Sequence, residues 1–419
     1  MTRAGLVALT ALALTACGAR SGLRDPAETT PTDASTPTDL GAPTGCVADT
    51  DCAPTGDPCV AAACVAGRCA RRPVPFGTSP QNFAVPGGLG HAARDGDGAV
   101  VTTVLGTGRP TDRIGLQRVT LQGLLGTPIP LVSPMSPRVW DHDITATPEG
   151  LVLAAHGGAQ TLLWQIDLRG AVSEPRPLDG VGNFLALSAS SGGLVLTAEQ
   201  SSPCAMAWVT ADGRWRRDGW DQDPGACPTA QVGPVGTPAW RRSVGRTTEG
   251  AWFAALTADG RLHRTEAAPG QVRTTVGRFA LADSDGAQYV RSLVAVEAGD
   301  RVAALWVRTA NDAQPETMQV REAVLDRQLR PIAAELNHDT TGLVYSPNMD
   351  IAYCHERFVS LWFDANTGTV TQNGLDGVAL AGPIKFGRGL TAIPVRLVCV
   401  PGGAVVAYQG AVSVFRCGG

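Results

Sequence analysis

A short phrase recurs through the last four-fifths of this 419-residue chain: a polar turn ending in glycine, followed at once by an apolar run of strand length. Its clearest copy is Thr147-Pro148-Glu149-Gly150-Leu151-Val152-Leu153-Ala154-Ala155. Asp97-Gly98 precedes Ala99-Val100-Val101, and Gly192-Gly193 precedes Leu194-Val195-Leu196. Glu249-Gly250 precedes Ala251-Trp252-Phe253, and Gly299-Asp300 stands before Val302-Ala303-Ala304. His355-Glu356-Arg357 leads into Phe358-Val359-Ser360, and Gly402-Gly403 into Ala404-Val405-Val406. That makes seven copies, at a mean step of about fifty residues.

A four-stranded unit of that length cannot cover both of its apolar faces, so its neighbours must, and closing the array into a ring removes the exposed ends. A second glycine turn in several copies, at Arg169-Gly170, Asp212-Gly213, Asp259-Gly260 and Thr367-Gly368, supports two hairpins per unit. No helical periodicity runs through the region. Glycine is abundant (50 residues) and aromatics are scarce (5%), as many tight turns between short strands require. The fold class predicted for residues 75–419 is therefore all-β, a β-propeller of about seven four-stranded blades. A large sandwich or two stacked β domains are the alternatives.

Ahead of the repeats the chain changes character twice. Arg3 followed by the apolar run Leu6 to Ala16 reads as a secretory leader, too short to span a bilayer. It ends Leu14-Thr15-Ala16-Cys17, which resembles the lipobox of bacterial lipoproteins. The resemblance implies removal of residues 1–16, palmitate-type acylation of Cys17 and export to the cell envelope. Gly18, where an inner-membrane retention signal would resemble Asp, favours the outer membrane by the same analogy. Several acyl chains anchor far more firmly than one. Residues 17–45 then carry Pro26, Pro31, Pro37 and Pro43 among small polar residues and no aromatic, the composition of a disordered tether. As a flexible coil its ends would lie roughly 30 Å apart. A mucin-like modified stalk has the same composition.

Residues 46–72 hold Cys46, Cys52, Cys59, Cys64 and Cys69 and almost no large apolar side chain. So small a segment has no core of its own and needs cross-links. Zinc is the rival, but the spacings lack a C-x-x-C pair and a nearby His. The segment, opening Cys46…Asp49-x-Asp51-Cys52, is similar to short Cys-rich modules in predicted lipoproteins of social and predatory soil bacteria. Beyond it lie five more cysteines, Cys204, Cys227, Cys354, Cys399 and Cys417. Both sets are odd, so full pairing demands at least one bridge between them. Cys417, near the chain end, is expected to take a module cysteine. Cys204 and Cys227 would close a tryptophan-containing loop, worth about 3 kcal/mol in the entropy account. Cys354 and Cys399 hold nearly the same place in successive repeats, which opens pairing between neighbouring blades. The alternative is one or two free, buried thiols.

Chemistry is harder to find. The sequence has no G-x-S-x-G elbow, no Walker loop and no C-x-x-C-H haem site, and His355-Glu356 lacks the second His of a zincin helix. Asp95-Gly96-Asp97-Gly98 lacks the later ligands of a calcium loop and reads as a hairpin turn. The candidate channel-mouth residues are His91 and, in Trp140-Asp141-His142-Asp143, Asp141, His142 and Asp143. His91 lies seven residues before Gly98 and His142 eight before Gly150, which places both near the start of the innermost strand in adjacent blades. Leu361-Trp362-Phe363-Asp364-Ala365-Asn366-Thr367-Gly368 is similar to the Trp-Asp-x-x-Thr-Gly element of quinoprotein-like propellers, which also occurs in non-enzymatic assembly lipoproteins. Leu163-Trp164-Gln165-Ile166-Asp167 is a looser echo, and the two together suggest shared hairpin geometry. No catalytic set, metal or cofactor is assigned from these residues. With a net charge of −4 and no basic patch, nucleic acid is not an expected partner. The expectation is a membrane-anchored, non-catalytic binding or scaffold protein whose propeller face meets another protein or a glycan. The alternative is a propeller-channel enzyme, a glycan hydrolase, a lyase or a quinoprotein-like oxidoreductase.

Overall fold

The computed structural model describes residues 45–105, 113–131, 289–309, 318–339 and 394–418, and, with short internal breaks, 141–199, 205–216, 244–281 and 349–387. The leader, Cys17, most of the tether, Cys204 and Cys227 lie outside the described residues. What is described belongs to one compact unit, Asp33–Gly419. Among those residues the structure is strand and turn apart from a single 3-10 turn, Asp49–Asp51, and no helix is long and apolar enough to cross a membrane.

Five four-stranded antiparallel meanders span residues 141–178, 183–216, 244–280, 289–339 and 349–386. Their inner strands pack side by side around an axis. Gln81–Asp95 lies beside Asp141–Thr147, which lies beside Asn183–Ser190. The sequence continues through Val244–Arg246, Tyr289–Ala298, Met349–Cys354 and Arg396–Val400, and the last returns to Gln81–Asp95. Sheets radiating from a closed circle of strands make this chain an all-β propeller.

The expected set of about seven separate four-stranded blades needs correction. Residues 81–130 and 396–416 form one six-stranded sheet instead. The cause is the way the chain ends meet. Strand Gly403–Arg416 doubles back at Gly410, which has φ +71°. The hydroxyl of Tyr408 consequently meets that of Ser413 at 3.1 Å. Its returning half pairs Val412 with Phe83 and Val414 with Gln81. The same Gln81–Asp95 strand then kinks at Gly87 and Gly90 and pairs Ala92 with Val101 and Ala93 with Val100. One strand therefore serves two neighbours, and the repeat spacing carries no sign of it.

The recurrent glycine has a steric cause. A Cβ at Gly150 would sit 2.1 Å from the carbonyl oxygen of Ile166 on the next strand. The equivalent approach is 2.4 Å at Gly98, to Val119, and 2.0 Å at Gly403, to Phe415. Strand two begins where strand three crosses too closely for a side chain.

The core is divided among the spaces between sheets, as mutual coverage requires. Val307, Val320, Met349, Phe358 and Trp362 meet between the 289–339 and 349–386 sheets. Leu116, Ile144, Leu153 and Trp164 do so between the six-stranded sheet and the 141–178 sheet. A strand covered on both faces loses the apolar–polar alternation. Every residue of Arg357–Phe363 and of Gly368–Gly374 is buried. Polar residues there must find partners inside. Glu322, fully buried on the adjoining sheet, supplies several: it accepts from Ser360, from Thr371 at 3.1 Å and from Asn373 at 2.6 Å.

Candidate functional site

Two polar clusters stand out, one at the ring axis and one where the N-terminal segment meets the ring. At the axis, Asp350, Arg396, His91 and Asp143 each lie seven residues before the first residue of the next strand, respectively Arg357, Gly403, Gly98 and Gly150. Their inner strands are consecutive around the circle, so the shared offset draws four side chains into one arc.

Asp143 is the centre of that arc and is buried. One carboxylate oxygen accepts from its own neighbour, Ile144 N–H, at 2.9 Å, and meets His91 Nδ1 at 3.3 Å. The other accepts from Leu187 N–H of the next sheet at 3.2 Å and from the Arg396 guanidinium. Burial alone would raise this carboxyl, but the Arg396 charge and the His91 and Arg396 contacts outweigh it and hold it well below the usual carboxylate range. Asp350 repeats the pattern, accepting from Ile351 N–H at 3.1 Å and from Leu397 N–H at 2.7 Å. Burial works against the charge on Arg396, yet Asp143 and Asp350 on either side raise its affinity for the proton.

Asp143 therefore shares the offset of His91, and His142 lies one residue before it on Asp141–Thr147. Successive side chains on a strand face opposite ways, so His142 turns to the neighbouring sheet instead. Its Nε2 lies 2.8 Å from the Thr102 hydroxyl, and its ring packs 4.2 Å from the His91 ring. Burial, and then the proximity of His91, push its pKa well below the ordinary imidazole value, against the pull of Asp143. Asp141 is the backbone register partner of His156 at the head of the same strand. The structure thus gathers His91, His142 and Asp143. It leaves Asp143 with both oxygens engaged and His142 neutral and buried, a poor arrangement for proton transfer and a good one for tying sheets together. Arg396 and Asp350 were missed from sequence, although the seven-residue offset marks both.

The second cluster begins with the cysteines. Cys46 is bonded to Cys64 and Cys52 to Cys69, tying the segment before it to each strand of the hairpin Val60–Val65 and Arg68–Pro73. Asp49 accepts from Cys64 N–H at 2.7 Å, and Asp51 from Val47 and Ala48 N–H at 2.8 and 2.9 Å. These contacts account for the two acids of the opening motif. Cys59 is bonded to Cys417, at the far end of the chain, and Cys354 to Cys399 across neighbouring sheets.

Around Cys59–Cys417 the N-terminal segment is gripped by the turn His355-Glu356. His355 Nδ1 lies 2.7 Å from Asp57 Oδ2, and Arg71 bonds Glu356 at 2.9 Å. Arg357 donates to the Val74 carbonyl and reaches Cys417 Sγ at 3.2 Å, with its guanidinium 4.2 Å from the centre of the Phe76 ring. Burial lowers Arg357 to about 10, with Asp57 opposing. His355 and Glu356 both adopt positive φ, 50° and 63°, in a turn that ordinarily takes Asn-Gly. Residues so placed persist when their surroundings hold them.

Among the described residues, the sets of three or more potential metal ligands within 4.8 Å of one another are Cys46, Cys52 and Cys69, and Asp57, Cys59 and His355. His91, His142 and Asp143 do not reach that spacing.

A closed circle of radiating sheets defines a β-propeller. Two solved structures at a TM-score of 0.50 agree on the fold. The WD40 domain of coronin from Toxoplasma gondii is 13% identical with a TM-score of 0.50, over 82% of this chain and 88% of that one. A protein from Lactobacillus plantarum is 11% identical, also at 0.50, over 84% and 94%. The Nup133 β-propeller domain of Vanderwaltozyma polyspora is 10% identical at 0.47, over 77% and 91%. No protein-family model and no curated protein matches the chain.

Proposed function

We propose that this chain is an exported, lipid-anchored, non-catalytic binding or scaffold protein that holds a β-propeller face away from a membrane for another protein or a glycan. One observation carries the non-catalytic part. Among the described residues, Asp143, Asp350 and Arg396 at the axis, where a channel enzyme would keep its reactive groups, join neighbouring strands, with Asp143 bonded to those of His91, Leu187 and Arg396. The anchored part rests on Leu14-Thr15-Ala16-Cys17 and the proline-rich stretch after it. The outer membrane is the destination that Gly18 favours.

Expression of the chain in a Gram-negative host tests the anchor. The wild type should fractionate with membranes and carry acyl mass on its first mature residue, and Cys17→Ala should appear unacylated. Equal solubility of the two would sink the anchor. The second reading, a channel enzyme, is favoured by the convergence of His91 with Asp143. Glycan and protein arrays probed with the purified chain separate the two. A ligand recovered intact fits the binding role. A cleaved or oxidised ligand, with turnover abolished in His91→Ala, would establish the enzyme.

A further inference from the structure

The residues that fasten the N-terminal segment to the ring carry a second chemistry. Asp57, Cys59 and His355 present ligand atoms within 4.8 Å of one another, and Cys417 Sγ is bonded to Cys59 Sγ. Two sulfurs, one imidazole and one carboxylate are a donor set for tetrahedral zinc. The imidazole is oriented for it. Nε2 lies 3.0 Å from the carbonyl oxygens of both Val400 and Gly403, which accept only, so that nitrogen carries a hydrogen. Nδ1 then faces Asp57 Oδ2 at 2.7 Å, a distance two acceptors reach only with a proton or a cation between them. A histidine whose far nitrogen donates to backbone carbonyls is held as metal-ligating histidines are.

Charge and access fit as well. Two thiolates, a carboxylate and a dication sum to one negative charge, and the Arg357 guanidinium 3.2 Å from Cys417 Sγ balances it. A cation beside a sulfur also favours its thiolate. The Asp57 side chain is 32% exposed, which leaves an approach from solvent.

We propose that Asp57, Cys59, His355 and Cys417 bind a zinc-type divalent cation once the Cys59–Cys417 bond is reduced, so that a metal replaces the disulfide as the fastening of the chain ends. A dithiol reductant supplies the two electrons and two protons that convert the S–S bond to two thiols, and is itself oxidised to a disulfide. The arriving dication displaces both thiol protons and the proton between His355 and Asp57, three protons released per ion.

Cys417→Ser tests this without reduction, because it frees Cys59 and leaves the other bridges intact. The purified variant should bind one Co²⁺ per chain, with a thiolate-to-cobalt charge-transfer band and the intense visible bands of tetrahedral cobalt. Unreduced wild type should show neither, and Cys417→Ser with His355→Gln should lose both. If Cys417→Ser does not fold, Cys59→Ser keeps the other sulfur and is read the same way. In a second arm, wild type is reduced with dithiol, freed of it, and alkylated with Zn²⁺ or with chelator. Zinc should protect Cys59 and Cys417, and His355→Gln should abolish the protection. Absence of the cobalt bands, bands indifferent to His355→Gln, or equal alkylation with and without zinc would overturn the site.

Discussion

Asp143 shows how much one side chain can hold in a ring of sheets. Its carboxylate binds its own strand, the next sheet and the Arg396 guanidinium, so removing its charge leaves a half-buried cation without its nearest partner. Asp143→Asn should cost about 3–5 kcal/mol in chemical denaturation. Its pH signature has a definite sign. The folded carboxyl titrates below the unfolded one, so its contribution is complete above the unfolded value of about 4 and fades as pH falls toward the folded value. The variant should therefore lose less stability on acidification than the wild type. His142 acts at milder pH in the same direction. Below about 6.5 the unfolded chain takes up a proton that the folded chain refuses, so stability falls with a slope of up to about 1.4 kcal/mol per pH unit. His142→Gln should flatten that limb, and an unchanged slope would mean that the folded imidazole titrates normally.

At the scale of the strand and sheet, the glycine that opens strand two is a contact requirement. Gly150→Ala would force a methyl group against the Ile166 carbonyl and should cost about 3 kcal/mol, read from the denaturation midpoint at unchanged m-value. Glycine turns followed by Val- and Leu-rich runs are local signals, and the strands they mark are where the sequence was most legible. The cysteine parity was legible too, because it demanded a bridge out of the N-terminal cluster wherever the partner lay. The fused sheet was not, since pairing of Gln81 with Val414 depends on where two distant ends meet in space. Nor was the clasp. His355-Glu356 occupies a position where the repeat normally puts glycine, and only the folded ring brings Asp57 and Arg71 to it. At the axis, His91 and Asp143 were visible as candidates. Their partner Arg396 was hidden by being on the other side of the closure, far along the chain.

For the whole molecule, the account is one of closure. Circular stacking gives each sheet two neighbours only if first and last strands meet, and here three devices act at the same seam. Val412–Val414 pair with Gln81–Phe83, Phe76 bridges Cys417, and Cys59 is bonded to Cys417. A bond spanning 358 positions constrains the unfolded chain by about 6 kcal/mol in the entropy account, and its loss should leave a ring that still forms but opens more readily at that seam. The most direct measurement is a peptide map of the purified, unreduced protein. It should yield a linked pair containing Cys59 and Cys417 that separates on reduction. A map in which Cys417 is free, or joined to Cys354 or Cys399, would contradict the meeting of the chain ends on which the rest is built.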